Sequence, residues 1–284
     1  MFRQTAGIAR HCATLLCMTD VSSTARLARI QLHPIKSLDP IEVKEARIGP
    51  GGGLELDRAW ALYSVDGQWV NGKRTAAIHL IRAAYATDLS AVTLSVPGDR
   101  RNTPTKTFAF PQDTAPAAEW FSAYFERPIL VRYSPEGFPD DSIANGPTII
   151  STASLDTVCG WFAGLTVDEV RLRFRTSLEI SGVPAFWEDQ LFGEEERSAV
   201  RFHIGEVAFE GSNPCARCPV PARNPRTGED LIGFQKRFSE LRRAHLPPWS
   251  PAARFDHFYR LTTNTRVAPT EQGKTLRIGD TMAL

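Results

Sequence analysis

LDRAWALYSVDGQWV, residues 56–70, is the stretch that decides the fold class of this chain. Residues 58–65 and 68–70 flank Asp66-Gly67, and that dipeptide supplies the positive backbone angles a tight β-turn requires, so the segment is predicted as a hairpin. The same character extends in both directions. Upstream, Ala28, Ile30 and Leu32 alternate with Arg29, Gln31 and His33, the period of a half-buried strand, and Pro34 then bends the chain away. Ile41, Val43, Ala46 and Ile48 suggest a second strand, ended by Pro50-Gly51-Gly52-Gly53. Downstream, residues 92–96 and 106–110 continue the β pattern, so the first hundred or so residues are expected to form a small barrel or sandwich.

A helix is predicted over residues 117–125, where Trp120, Phe121, Tyr124 and Phe125 share one face, with Pro128 ending it. Residues 135–147, rich in Gly, Pro, Asp and Asn, are expected to be a surface loop near a domain boundary. A short strand at 148–150 follows, then a helix capped by Ser154 and running to about Ala163. Val170, Leu172 and Phe174 alternate with Arg171, Arg173 and Arg175, which is strand spacing with a basic face that needs an anion or water. Further β signals lie at 201–209, 255–261 and 275–283, with an amphipathic helix at 234–246 buried through Phe234, Phe238 and Leu241. There is no internal repeat and no low-complexity segment.

Length and charge narrow the class of protein. At 284 residues the chain is long enough for two moderate cores. A formal net charge of +1 supplies no global field toward a nucleic-acid polymer or acidic lipid, so any bound anion must be met by local cations. No apolar run approaches the roughly 20 residues that span a membrane. Five cysteines, Cys12, Cys17, Cys159, Cys215 and Cys218, are too few and too unevenly spaced for a disulfide scaffold, which points to a reducing compartment and a soluble, cytoplasmic protein. Residues 1–23 contain Arg3, Arg10 and a short apolar patch without a persuasive cleavage pattern, and are expected to be a disordered extension, with Met18 as an alternative start.

The chemistry concentrates in Gly211-Ser212-Asn213-Pro214-Cys215-Ala216-Arg217-Cys218-Pro219, followed by Asn224-Pro225-Arg226-Thr227-Gly228-Glu229. Two thiols occupy a turn-rich loop straight after a strand, with Arg217 and Arg223 near enough in sequence to favour a thiolate. A zinc site would need a second Cys/His pair, and only the scattered His203, His245 and His257 are available. A dithiol redox motif would want a following helix, against which Pro219 and Pro221 argue. Two ordinary buried cysteines are the plain alternative.

NPCARC with its downstream N-P-x-T-G-E resembles the cysteine motif of the MOSC family, named for the C-terminal domain of molybdenum cofactor sulfurase. HPIKSL (33–38), LDRAWAL (56–62), IISTASL (149–155), FRTSLEISG (174–182) and RIGDTMAL (277–284) are similar to other family segments in the same order, so the likeness covers most of residues 26–284. It is strongest toward the mitochondrial amidoxime-reducing component and its bacterial relatives. The resemblance implies a mainly β protein with some α, in which an N-terminal β-barrel-like domain (24–132) packs on a C-terminal MOSC β-barrel domain (133–284).

The resemblance also implies a site. Cys218 is the expected ligand of the metal in a molybdenum cofactor (molybdopterin), a soft thiolate joining the two sulfurs of the pterin, with Cys215 as a nearby supporting thiol. Lys36, Ser37, Arg58 and Arg175 occupy positions that neutralise the cofactor's phosphate. Lys73, Arg74, Asn145, Gly146, Ser177 and Arg217 join them, Gly146 through backbone donors, and Asp280 is expected near the metal as a catalytic group. Ser177 stands where the family often has Asn, Ala216 where a hydroxyl is common, and Pro219-Val220 replace an Ile-Leu type pair. The implied function is an oxidoreductase that reduces N-hydroxylated compounds. Its electrons would come from a separate ferredoxin- or cytochrome-like donor, since no ferredoxin-like cysteine cluster follows the motif. The alternative is a non-catalytic module that carries or sulfurates the cofactor.

Overall fold

The structure, a computed structural model, describes residues 25–140, 143–196 and 198–284. The expected N-terminal extension, with Cys12, Cys17 and Met18, lies outside the described residues. The predicted hairpin is present: Trp60–Ser64 pairs antiparallel with Trp69–Val70, and Gly67 at the turn has φ 81° and donates its N–H to the Ser64 carbonyl at 2.9 Å. Ile129–Tyr133 adds to the other edge of Trp60–Ser64. A second three-stranded sheet joins Arg82–Tyr85, Ala91–Ser95 and Lys106–Ala109. Helix α1, Thr114–Phe125, closes this barrel-like half, burying Trp120, Phe121 and Tyr124 against Leu62, Val92, Leu94 and Phe108.

The larger sheet, eight-stranded among the described residues, runs in the order Met282–Ala283, Val200–Ile204, Val207–Ala216, Arg260–Arg266, Ile149–Ser151, Leu178–Ser181, Arg26–Leu32 and Ile41–Val43. It curls on itself. Arg26 bridges Thr281, and Met282 N–H donates to the Ala25 carbonyl at 2.9 Å, so the first described strand meets the last. Closure of this kind leaves no exposed ladder edge at that seam. The strands at 26–43 therefore belong to the same sheet as the C-terminal half. Leu27, Ile30, Leu178, Ile180, Phe202, Phe209 and Met282 fill its interior. Helices α2 (Thr152–Gly160), α3 (Val167–Phe174) and α4 (Phe234–Ala244) form a third core on its outside, around Leu155, Phe174, Phe234 and Phe238. Among the described residues no helix is long and apolar enough to cross a membrane.

Three expectations are corrected. The alternation at 170–175 belongs to α3, a helix. Thr166 caps it by accepting from the Glu169 N–H at 3.2 Å, and the pairs Asp168–Arg171 (2.6 Å) and Glu169–Arg173 (2.7 Å) tie its face at helical spacing. Val170 and Phe174, four apart, are its buried stripe. Two of the three arginines are already matched: Arg171 also grips Glu179 at 2.7 Å, and Arg173 donates to the Pro221 and Arg223 carbonyls. The cap of α2 is Ser151 rather than Ser154, whose N–H donates to the Ser151 hydroxyl at 3.0 Å. The strand expected at 255–261 starts later, at Arg260, and runs to Arg266.

Candidate functional site

A cavity of about 540 Å³ is walled by residues drawn from four stretches, among them Lys36, Arg58, Asp140, Asn145, Arg175 and Cys218, together with Asn264. It gathers Lys36, Ser37, Arg58, Lys73, Asn145, Gly146, Arg175, Ser177, Arg217 and Cys218, with Cys215 beside them. Two expected residues are elsewhere. Arg74 donates to Gln68 outside the cavity. Asp280 closes the terminal turn, its carboxylate accepting from the Arg277 N–H at 2.7 Å, and does not line the cavity.

The backbone is unusual at this wall. Ser37, Arg58 and Arg175 hold left-handed conformations, with φ of 75°, 54° and 51°. A non-glycine residue there costs on the order of 1–3 kcal/mol and persists only where its surroundings over-determine it. Arg175 is pinned as the C-terminal cap of α3, its N–H donating to the Arg171 carbonyl at 2.8 Å, and Arg58 N–H donates to the His33 carbonyl at 2.9 Å.

Each cation has a different status. Arg58 is paired with Asp57, whose Oδ1 accepts from the His33 N–H at 2.7 Å. Burial raises the Asp57 carboxyl, but Arg58 and His33 together hold it at about 2. Behind them His33 is wholly buried, its Nδ1 3.8 Å from Asp57 Oδ1, and neither ring nitrogen has a hydrogen-bond partner. Burial, then Arg175, push it down to about 3, so it is neutral. Arg175 is the open cation. Its Nη2 is buried without a partner, and burial followed by repulsion from Arg58 lowers it to about 10. The Ser177 hydroxyl is likewise buried and unpartnered. Both residues line the cavity, and a buried donor left unmade costs on the order of 1–3 kcal/mol, more when charged.

Lys36 donates to the Phe138 carbonyl at 2.7 Å, pairs with Asp140 at 3.0 Å and lies 4.8 Å over the Trp69 ring. Burial lowers its pKa, against the pull of Asp140. Lys73 reaches the same Asp140 oxygen at 3.4 Å. Although desolvation raises the Asp140 carboxyl, the two ammonium groups hold it at about 2.

The thiols arrive on the long strand Val207–Ala216 and the loop that leaves it. Cys215 and Cys218 are both half-buried and free. Arg217 between them does not reach into the cavity as an open cation. Its guanidinium donates to the Leu261 carbonyl (2.7 and 3.0 Å), the Phe174 carbonyl (3.1 Å) and the Thr262 hydroxyl, fastening the loop to strand Arg260–Arg266 and to the end of α3. Asn145 and Gly146 shape the wall in the same way. The Asn145 amide donates to the Gly51 carbonyl at 2.9 Å and accepts from the Val267 N–H at 3.2 Å. Gly146 N–H is taken by the Thr265 carbonyl at 2.9 Å, so the expected backbone donor is already in use. A Cβ at Gly146 would stand 2.3 Å from the Thr265 hydroxyl.

Sequence reading missed Asp140, Asn71 and His79. Asp140 sits in the loop singled out for its composition, but nothing local marks which of its acids turns inward. Asn71 opens the Asn-Gly turn and accepts from the Lys73 and Arg74 N–H groups at 3.1 and 3.2 Å, a signal that was legible. Among the described residues no group of three or more His, Cys, Asp or Glu side chains is placed to hold a metal ion, so the zinc alternative finds no cage. Pro219 opens a single 3-10 turn, Val220–Ala222, and not the helix of a dithiol redox motif. The donors left on the cavity wall are two half-buried thiols, Cys215 and Cys218, and the buried, unpartnered Arg175 Nη2 and Ser177 hydroxyl.

Comparison with known proteins gives the following matches. The profile of the MOSC N-terminal beta barrel domain matches residues 24–128, and that of the MOSC domain matches residues 148–283. No curated protein sequence matches the chain. Among solved structures, the YUAD protein from Bacillus subtilis aligns over 91% of this chain and 93% of its own, at 11% identity and a TM-score of 0.30.

Proposed function

The chain belongs to the MOSC family, whose domains are associated with molybdenum-cofactor binding, and from that premise we propose that it holds this cofactor in the 540 Å³ cavity and uses it as an oxidoreductase. The observation that carries the proposal is the pair of buried, unpartnered donors, Arg175 Nη2 and the Ser177 hydroxyl, on the cavity that also presents Cys218. They suit the phosphate of a pterin, and the Cys218 thiolate suits its metal. When bound, the group supplies two-electron redox chemistry that no side chain here provides.

The chain's own contribution is binding and orientation. Arg175, Ser177, Lys36 and Lys73 meet the anionic end. Arg58, paired with Asp57, donates to the Arg175 carbonyl, and Arg217 fastens the loop that carries Cys218. Cys215 stands three residues away as a supporting thiol. The substrate class is N-hydroxylated small molecules, amidoximes and hydroxylamines among them, with electrons from a separate donor protein. This finer reading rests on the likeness to the amidoxime-reducing component.

Elemental analysis of purified protein tests the binding step. Near-stoichiometric molybdenum is expected in wild type and a large loss in Cys218→Ser; equal retention in both would transfer the ligand role to Cys215. Reduction of a model amidoxime with an artificial electron donor tests the activity. Bound cofactor without turnover would mark the chain as a carrier or sulfur-transfer module instead.

A further inference from the structure

The cations of the cavity wall are not equally available. Arg58 is matched by Asp57, Arg173 by Glu169, and Arg217 by carbonyl oxygens. Lys36 and Lys73 together carry two positive charges and, among the described residues, share one carboxylate, Asp140. Their positions differ. The Lys36 side chain is 9% exposed, whereas that of Asp140, which also lines the cavity, is 60% exposed.

Resting on the reading of this cavity as an anion seat, we propose that Asp140 is an exchangeable counter-ion, occupying the Lys36–Lys73 seat until a dianionic group displaces it, and so selects phosphate over carboxylate. A buried ammonium cannot be left without an anion, because the unpaired charge would be stranded in a poorly solvated site. A half-exposed carboxylate gains little from its ion pair and is cheaply released to water. The seat is therefore always filled, while the identity of its occupant is open to exchange. A monoanion entering from solvent swaps one negative charge for another and gains nothing over a carboxylate already tethered by the chain. A phosphate dianion brings the two lysines to neutrality, a change that Asp140 alone cannot make. Tethering gives Asp140 a high effective concentration, which raises the threshold that a competing ligand must pass.

The test uses the full chain, produced in a host unable to make the pterin, with inorganic phosphate and acetate titrated calorimetrically at pH 8. Asp140→Asn keeps the shape and removes the charge. It is expected to bind phosphate about tenfold more tightly than wild type and to acquire acetate binding that wild type lacks. Arg175→Ala, in either background, is expected to weaken phosphate at least tenfold. If Asp140→Asn leaves phosphate affinity unchanged or lower while Arg175→Ala still weakens it, the seat stands and Asp140 is a brace for the lysines, which overturns the proposal. If neither wild type nor Asp140→Asn binds phosphate, the anion-seat reading fails and the proposal with it.

Discussion

Arg58 Nη2 donates to the backbone carbonyl of Arg175 at 3.4 Å, across 117 residues of sequence. Two like charges are thereby held close together at the cavity wall, and each has a left-handed backbone. Asp57 answers one of them, and the other keeps a buried nitrogen without a partner.

Because Arg175 Nη2 is buried without a partner among the described residues, removing the side chain should affect binding more than folding. Arg175→Gly is expected to keep or raise the melting temperature, since glycine adopts φ 51° without strain. Cofactor retention, read as molybdenum content, should fall at least tenfold, in line with loss of a charge-assisted contact worth about 1.5–3 kcal/mol. Retention at the wild-type level would remove Arg175 from the site.

Arg217 predicts the reverse. Arg217→Ala strands the Leu261 and Phe174 carbonyls and is expected to lower stability by about 2–3 kcal/mol, measured by denaturant unfolding. Arg217→Lys keeps the charge and loses the planar fork, so it should recover little of that stability. Full recovery by lysine would mean that charge, not carbonyl pinning, is what the position supplies.

His33 makes the fold acid-sensitive. Its folded value of about 3 lies below the ordinary 6.5, so the unfolded chain binds more protons between those limits. Stability is complete above about pH 6.5 and falls as pH drops through that window. His33→Phe should stay within about 1 kcal/mol of wild type at pH 7.5 and flatten the acid limb of a melting-temperature profile. His79, pushed down to about 4 by burial, retains a second share of the slope. An unchanged acid limb would show that His33 is hydrated or partnered in solution.

Glu188 acts in the opposite direction. Burial, then the neighbouring Asp189, raise it to about 7 from 4.5, while its Oε2 accepts from the Ser151 N–H at 3.2 Å and the Ser154 hydroxyl at 3.0 Å. The folded state holds the proton more tightly, so stability present below pH 4.5 declines as pH rises to about 7 and is level beyond. Glu188→Gln keeps an acceptor for both donors. It should match wild type at pH 5 and exceed it at pH 8, by about 2–3 kcal/mol at most. A variant less stable at pH 8 would show that the ionised carboxylate is compensated by Arg242.

Much of this architecture was legible before any coordinates. The hairpin at 60–70 follows from Asp66-Gly67, and α1 and α4 from the spacing of Trp120, Phe121 and Tyr124 and of Phe234 and Phe238. The error at α3 has a specific cause. Three apolar residues two apart satisfy strand spacing, but Thr166-x-x-Glu169 is a helix-start signal, and the acid-to-arginine steps of three and four residues were the stronger indication.

The sequence by itself determined the β-rich class, the family and ten of the residues that line the cavity, because turn chemistry, residue periodicity and ordered motifs are local properties of a chain. Tertiary structure alone decided which of those cations remain open. Arg171, Arg173 and Arg217 are matched by groups up to 50 residues away, whereas Arg175, two residues beyond Arg173, keeps a donor free. The reason is electrostatic: a charge is satisfied by whatever the fold brings within about 3 Å of it, and no pattern along the chain records that distance.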